Sequence, residues 1–196
     1  MKMVVAILGI LFFALRFAAP QQAPTPKKIL TPDQLQYQQE TKKIDAERSR
    51  LRAVAKQALD DETAQEKEPE CPNAQSNREW QICLGDEGTT TEKNFKAFAD
   101  AIRAALGLDQ PAPPSAAKAP PVPGPAGVEL TPQQLVDEFD KTERLWETYR
   151  DAECTAAFHQ FGGGTGGPGA ELECRERMIR QRMHDLDSVY NVLMFH

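Results

Sequence analysis

Histidine is scarce and scattered in this chain. The 196 residues hold three: His159, His184 and His196. The carboxylates nearest His159 on its N-terminal side, Glu153 and Asp151, lie six and eight residues away, out of register with it on a helix. No serine sits in a nucleophile motif, so no nucleophile, base and acid come together in the sequence. Paired carboxylates (Asp137/Glu138, Glu143/Glu147, Asp151/Glu153) occur as on any acidic helix face. No segment alternates polar and apolar residues with period two, which leaves out strands. No C-x-x-C pair is present; the cysteines fall twelve and twenty apart, and zinc is not expected. The glycine run lacks the lysine and preceding strand that a phosphate cradle needs. The expectation is a protein that is not an enzyme and takes no metal or cofactor.

A long apolar run is also missing. The longest, Met3–Leu15, is thirteen residues, against the ~20 that span a bilayer. Lys2 precedes it, Arg16 ends it, and Phe17-Ala18-Ala19 offers a cleavage site before Pro20. Residues 1–19 therefore read as an export signal, with an uncleaved inner-membrane anchor as the alternative. No cysteine follows directly, which disfavours a lipid anchor. Contact with membrane is expected only through this segment, and location in the periplasm or outside the cell follows.

Charge is uneven. Residues 1–70 carry a net +1 and residues 71–196 a net −7, within a total of −6. An acidic domain argues against nucleic acid and suits a basic protein partner, though solubility alone explains acidity as well.

In order, the chain shows four helical stretches. Thr31-Pro32-Asp33-Gln34 pairs an N-cap with proline at the first helical position and glutamine three on. That helix runs to about Glu66 with a sparse seam (Tyr37, Ile44, Leu51), so residues 20–70 read as a charged, mostly solvated stalk. Ser76–Glu79 is a second start, with Trp80, Cys83 and Leu84 on one face. Gly85 and Gly88 weaken it and Thr89–Glu92 can cap it afresh. Phe95, Phe98, Ala99, Ile102 and Leu106 then form one stripe, and Gly107 ends it. Residues 109–127 contain seven prolines, suit an extended tether, and can build no core. Thr131-Pro132-Gln133-Gln134 repeats the first start. Leu135, Phe139, Thr142, Trp146 and Tyr149 step along one face to about Gln160. Gly162–Gly169 breaks the helix, and from Ala170 a last one carries Leu172, Ile179, Met183, Leu186, Tyr190 and Leu193.

The fold expected is all-α: a small antiparallel bundle, an αα-hairpin plus a third helix, preceded by a separate charged helix. Its open end gathers Cys71, Cys83, Cys154 and Cys174, and an even count in an exported chain implies two disulfides. Four cysteines allow three pairings. Links between helices best support a small core, so Cys71–Cys154 with Cys83–Cys174 is the expectation. Trp80, Trp146 and Tyr149 are expected in the core. Arg150 is expected to pair locally with Glu147, or, with Arg182, to close the cysteine end by bonding loop carbonyls.

The densest stretch then points to a family. Trp146-x-x-Tyr149-Arg150-Asp151-Ala152-Glu153-Cys154, the glycine loop, and Cys174 followed by Arg182 and Leu186 resemble the LprI-type lysozyme-inhibitor-like domain of exported bacterial proteins. Cys71-x-x-Ala74-Gln75-Ser76-x-x-Glu79-x-x-x-Cys83 resembles its opening motif. The resemblance covers residues 71–106 and 130–190. The chain departs from it at Gly85 and Gly88, in its long proline-rich tether, and in the 31–66 helix outside the domain. The resemblance implies a helical domain over 71–196 that binds a lysozyme or another basic envelope protein. The loop Gly162, Gly163, Gly164, Thr165, Gly166, Gly167 is the expected partner-binding protrusion. The runner-up function is a periplasmic structural or adaptor module whose 31–66 helix binds a partner.

Overall fold

The computed structural model describes residues 30–114 and 130–195. The apolar N-terminal run and most of the proline-rich stretch, with the signal and tether expected there, lie outside the described residues. Four helices follow one another: α1 (Pro32–Gln65), α2 (Asn77–Leu106), α3 (Pro132–His159) and α4 (Gly167–Phe195). No strand occurs among the described residues.

Local chemistry accounts for the helix starts. Thr31 and Thr131 each accept a hydrogen bond from the backbone N–H three residues on. Gln34 and Gln134 return the bond to the cap N–H, and proline follows each threonine. Ser76 accepts from the Glu79 N–H, but Glu79 reaches back to the Gln75 N–H and not to the cap. α2 does not break at its glycines. A Cβ on Gly85 or Gly88 would meet nothing within 4 Å, so the pair marks an open side of an unbroken helix. Thr89 and Thr90 donate their hydroxyls to the Gly85 and Asp86 carbonyls and do not recap the chain.

The helices run alternately up and down. α2 and α4 lie side by side as a parallel central pair, and α1 and α3 flank it without touching each other. Ion pairs mark the registers: Arg103 bonds Asp140 from α2 to α3 at 2.7 and 2.8 Å, and Arg180 bonds Glu62 from α4 to α1 at 2.8 Å. The main core gathers Leu51, Ala55 and Ala58 of α1, Phe98, Ala101 and Ile102 of α2, Phe139 of α3, and Met183, Leu186 and Met194 of α4.

This arrangement corrects the stalk expected over residues 20–70. The C-terminal half of α1 is not a spacer but a wall of the bundle, and Thr31–His196 forms one unit. The physical signal was a seam of small residues. Leu51, Ala55, Ala58 and Glu62, spaced by four, three and four, are all buried. Alanines bury little area each, so the seam looked weak in sequence, yet they allow the close helix approach that shuts the core. The all-α architecture of four helices is as expected, with the C-terminal half of α1 packed on the other three helices rather than standing apart.

Candidate functional site at the cysteine end

Two disulfides hold one end of the bundle, paired otherwise than expected. Cys71 joins Cys83 (Cα–Cα 5.8 Å) and Cys154 joins Cys174 (Cα–Cα 5.4 Å). The first pairing is a consequence of backbone reversal. Cys71 takes φ +43°, a left-handed turn that folds residues 71–75 back over the start of α2. Its N–H then donates to Glu87 Oε1 at 3.3 Å. The second pairing follows from the antiparallel α3–α4 packing, which sets the end of one helix beside the start of the next. Only Cys154–Cys174 ties two helices together; Cys71–Cys83 pins a loop. Around Cys154 and Cys174 the buried cluster is small, with Met178 and the partly buried Ala157.

The glycine-rich connection is divided in two. Gly162 and Gly163 take φ +56° and +81°, conformations that suit glycine. Gly162, Gly163, Gly164 and Thr165 are exposed at the tip. The other half is packed. Gly166 lies against the Phe161 ring, Gly167 against Phe158, and Gly169 against Trp80, where a Cβ would come within 2.1 Å of the indole. Asn77 and Gln81 of α2 donate to the Thr165 carbonyl at 3.1 and 2.6 Å. The loop is therefore held by side chains at its base.

The expected motif residues separate. Trp146 is half-buried: the Phe95 ring lies 5.1 Å away, and the guanidinium carbons of Arg150 and Arg182 sit 5.1 and 5.9 Å from its ring centroid. Trp80 is half-buried too. Tyr149 is 59% exposed, contrary to the core position expected. The buried face of α3 runs through Val136, Phe139 and Cys154, and the stripe counted from Leu135 drifts off it by Tyr149. Arg150 pairs with Asp151, not Glu147, and Arg182 with Glu143; neither reaches a loop carbonyl. Asp151 also receives Arg175 of α4 at 2.9 Å. Desolvation would raise the Asp151 carboxyl, but the Arg150 hydrogen bond and charge, with Arg175, outweigh it and hold the group below the usual range. Glu153 is exposed on the rim of an open groove of about 480 Å³ beside Cys174. Glu70, Glu153 and Glu173 give that groove three carboxylates against the one guanidinium of Arg177.

Residues that sequence reading passed over lie just inside this end. Glu62, 2% exposed, accepts from the Thr91 hydroxyl and the Asn94 amide at 2.9 Å each and from Arg180 Nε at 2.8 Å. Glu176, also 2% exposed, has Oε1 2.6 Å from Arg180 Nη2, yet neither carboxylate oxygen makes an aligned hydrogen bond. Burial pushes the Glu176 carboxyl up to about 7 against the pull of Arg180. The signal for Glu62 was its place on the α1 seam. Nothing in local spacing marks Glu176, whose neighbours come from other elements. His184 Nε2 sits 3.5 Å from Glu66 and His159 is exposed on α3, so the described histidines join no shared site.

Residues 70–186 match the model of the family described as lysozyme inhibitor LprI. The chain belongs to the LprI family. The match covers more than half of the chain and starts beside Cys71, so α1 lies outside the family segment although it packs against it. No curated protein and no solved structure matches the chain. No described helix is long and apolar enough to cross a membrane. The matched segment contains all four cysteines and residues 146–154.

Proposed function

We propose that this LprI-family chain is an exported, non-enzymatic envelope protein that binds and inhibits a lysozyme-type muramidase. The family match over residues 70–186 carries the reading. The docking element is the exposed tip Gly162–Thr165, with the acidic groove beside it. A tip fixed at its base by Asn77, Gln81 and the Cys154–Cys174 disulfide loses little freedom on binding, which favours affinity. Three carboxylates around the groove complement a basic lysozyme and speed its approach. The exposed Tyr149, of a residue type common at binding hot spots, adds an amphipathic surface on the neighbouring helix.

The test is lysis of bacterial cell walls by a basic lysozyme in the presence of oxidised Thr31–His196. Micromolar protein is expected to lower the initial rate, and more strongly at low ionic strength. An unchanged rate with folded, oxidised protein rejects the reading. The adaptor alternative rests on the N-terminal half of α1, since the half from Leu51 onward packs into the core.

A further inference from the structure

Phe161 faces water where the other phenylalanines do not. Among the described residues Phe95, Phe98, Phe139, Phe158 and Phe195 are buried or half-buried, while Phe161 is 50% exposed. Every other exposed large apolar side chain among the described residues lies on a helix. Helical periodicity turns some apolar residues outward. No such constraint acts on Phe161, which stands past the end of α3. Three residues earlier, Phe158 packs inward on Gly167.

The outward ring is also held in place. The Phe161 carbonyl accepts the Gly164 N–H at 2.8 Å, closing a turn whose central residues, Gly162 and Gly163, both take positive φ. The returning chain passes under the ring, where a Cβ on Gly166 would lie 2.7 Å from Cδ1 and 2.9 Å from Cε1. Glycine at 166 thus leaves the ring a seat. That seat is fixed from both sides. Asn77 and Gln81 hold the Thr165 carbonyl, and the Gly166 carbonyl accepts the Ala170 N–H at 3.1 Å. A seated ring loses little freedom when a partner covers it, and aromatic side chains are enriched at the centres of interfaces. Charge lies beside it. Gln160, the preceding residue, lines the groove that holds Glu70, Glu153 and Glu173.

We propose that Phe161 is the apolar anchor of the docking surface. Its ring fills an apolar pocket of the muramidase, and the groove carboxylates meet basic residues on the rim of that pocket. The assignment deepens the inhibitor reading given above and rests on it. The carboxylates steer the approach, and the ring sets how long the complex lasts.

The experiment measures the half-inhibitory concentration of the oxidised protein and its variants in cell-wall lysis by a basic lysozyme, with Tm measured alongside. Phe161→Ala is expected to raise that concentration about thirtyfold, the effect of losing one hot-spot side chain. Its Tm is expected to stay within about 2 °C of the native value, because the site is half-exposed. Phe161→Tyr keeps the ring and is expected to stay within about threefold. Gly166→Ala puts a methyl in the seat and is expected to raise the concentration about tenfold with the ring still present. Val192→Ala, at a 75% exposed position toward the far end of α4, is expected to change nothing. Undiminished inhibition by Phe161→Ala overturns the anchor and leaves the inhibitor reading standing. Equal losses in Phe161→Ala and Val192→Ala overturn it too, as does a loss that tracks a fall in Tm. Undiminished inhibition by Gly166→Ala overturns the seat. No inhibition by the native protein rejects the inhibitor reading, and the anchor with it.

Discussion

The middle of the bundle and its cysteine end are stabilised by different means. In the middle, four helices bury Phe98, Ile102, Met183 and Leu186 against alanines of α1, and packing suffices. At the cysteine end the buried apolar cluster shrinks to Cys154, Cys174 and Met178, and carboxylates gather near it, Glu176 buried, Glu87 half-buried and Glu70 exposed. Covalent bonds, glycine–aromatic contacts and ion pairs take over there. The difference separates two tasks. The middle sets the registers of the helices, and the end presents a surface whose shape no large core supports. The proposed binding surface sits where packing contributes least.

That contrast can be broken at graded cost. Phe98→Ala removes a fully buried ring from the middle and is expected to cost about 3–5 kcal/mol, read as a fall in urea midpoint. The loss should be similar in oxidised and reduced protein; a loss seen only in the reduced form would deny the separation. Replacing Cys154 and Cys174 together by alanine opens a link across twenty residues, with an expected cost of about 2–4 kcal/mol. Hydrogen exchange should rise around the glycine loop before it rises at Phe98. Uniform exchange would show one cooperative block. Gly169→Ala sets a methyl into the Trp80 ring, at an expected cost of about 1–3 kcal/mol. Trimming the ring with Trp80→Leu should recover part of that loss, and strict additivity of the two substitutions would contradict the contact. Tyr149→Ala, at an exposed site, is expected to move stability by less than about 0.5 kcal/mol while weakening lysozyme inhibition.

Much of the fold was legible from sequence. The caps at Thr31, Ser76 and Thr131, the apolar stripes of α2 and α4, and the end of α3 at Gln160 follow from local rules and recur in the structure. The inner role of α1 was not legible, because its buried seam uses alanine and a glutamate, whose meaning depends on the facing helices. Disulfide pairing escaped for a similar reason. The left-handed turn at Cys71 folds the loop onto α2 and is set by contacts such as the one to Glu87. Tyr149 was misplaced because a stripe counted by threes and fours drifts around a long helix, and only packing decides where it leaves the interface. Among site residues, the cysteines were found from their number and spacing. The burial of Glu176 was not, since it is set by packing against other helices.

The central claim is that the cysteine end docks on a basic muramidase. The direct measurement is the initial rate of cell-wall lysis with oxidised Thr31–His196 and with its Thr165→Lys variant, at equal concentration. Thr165 is exposed at the loop tip, and a cation there opposes a basic partner without entering the core. The account predicts inhibition by the first protein and inhibition at least tenfold weaker by the second, at unchanged Tm. Equal inhibition by both would contradict docking through the tip, and inhibition by neither would contradict the function itself.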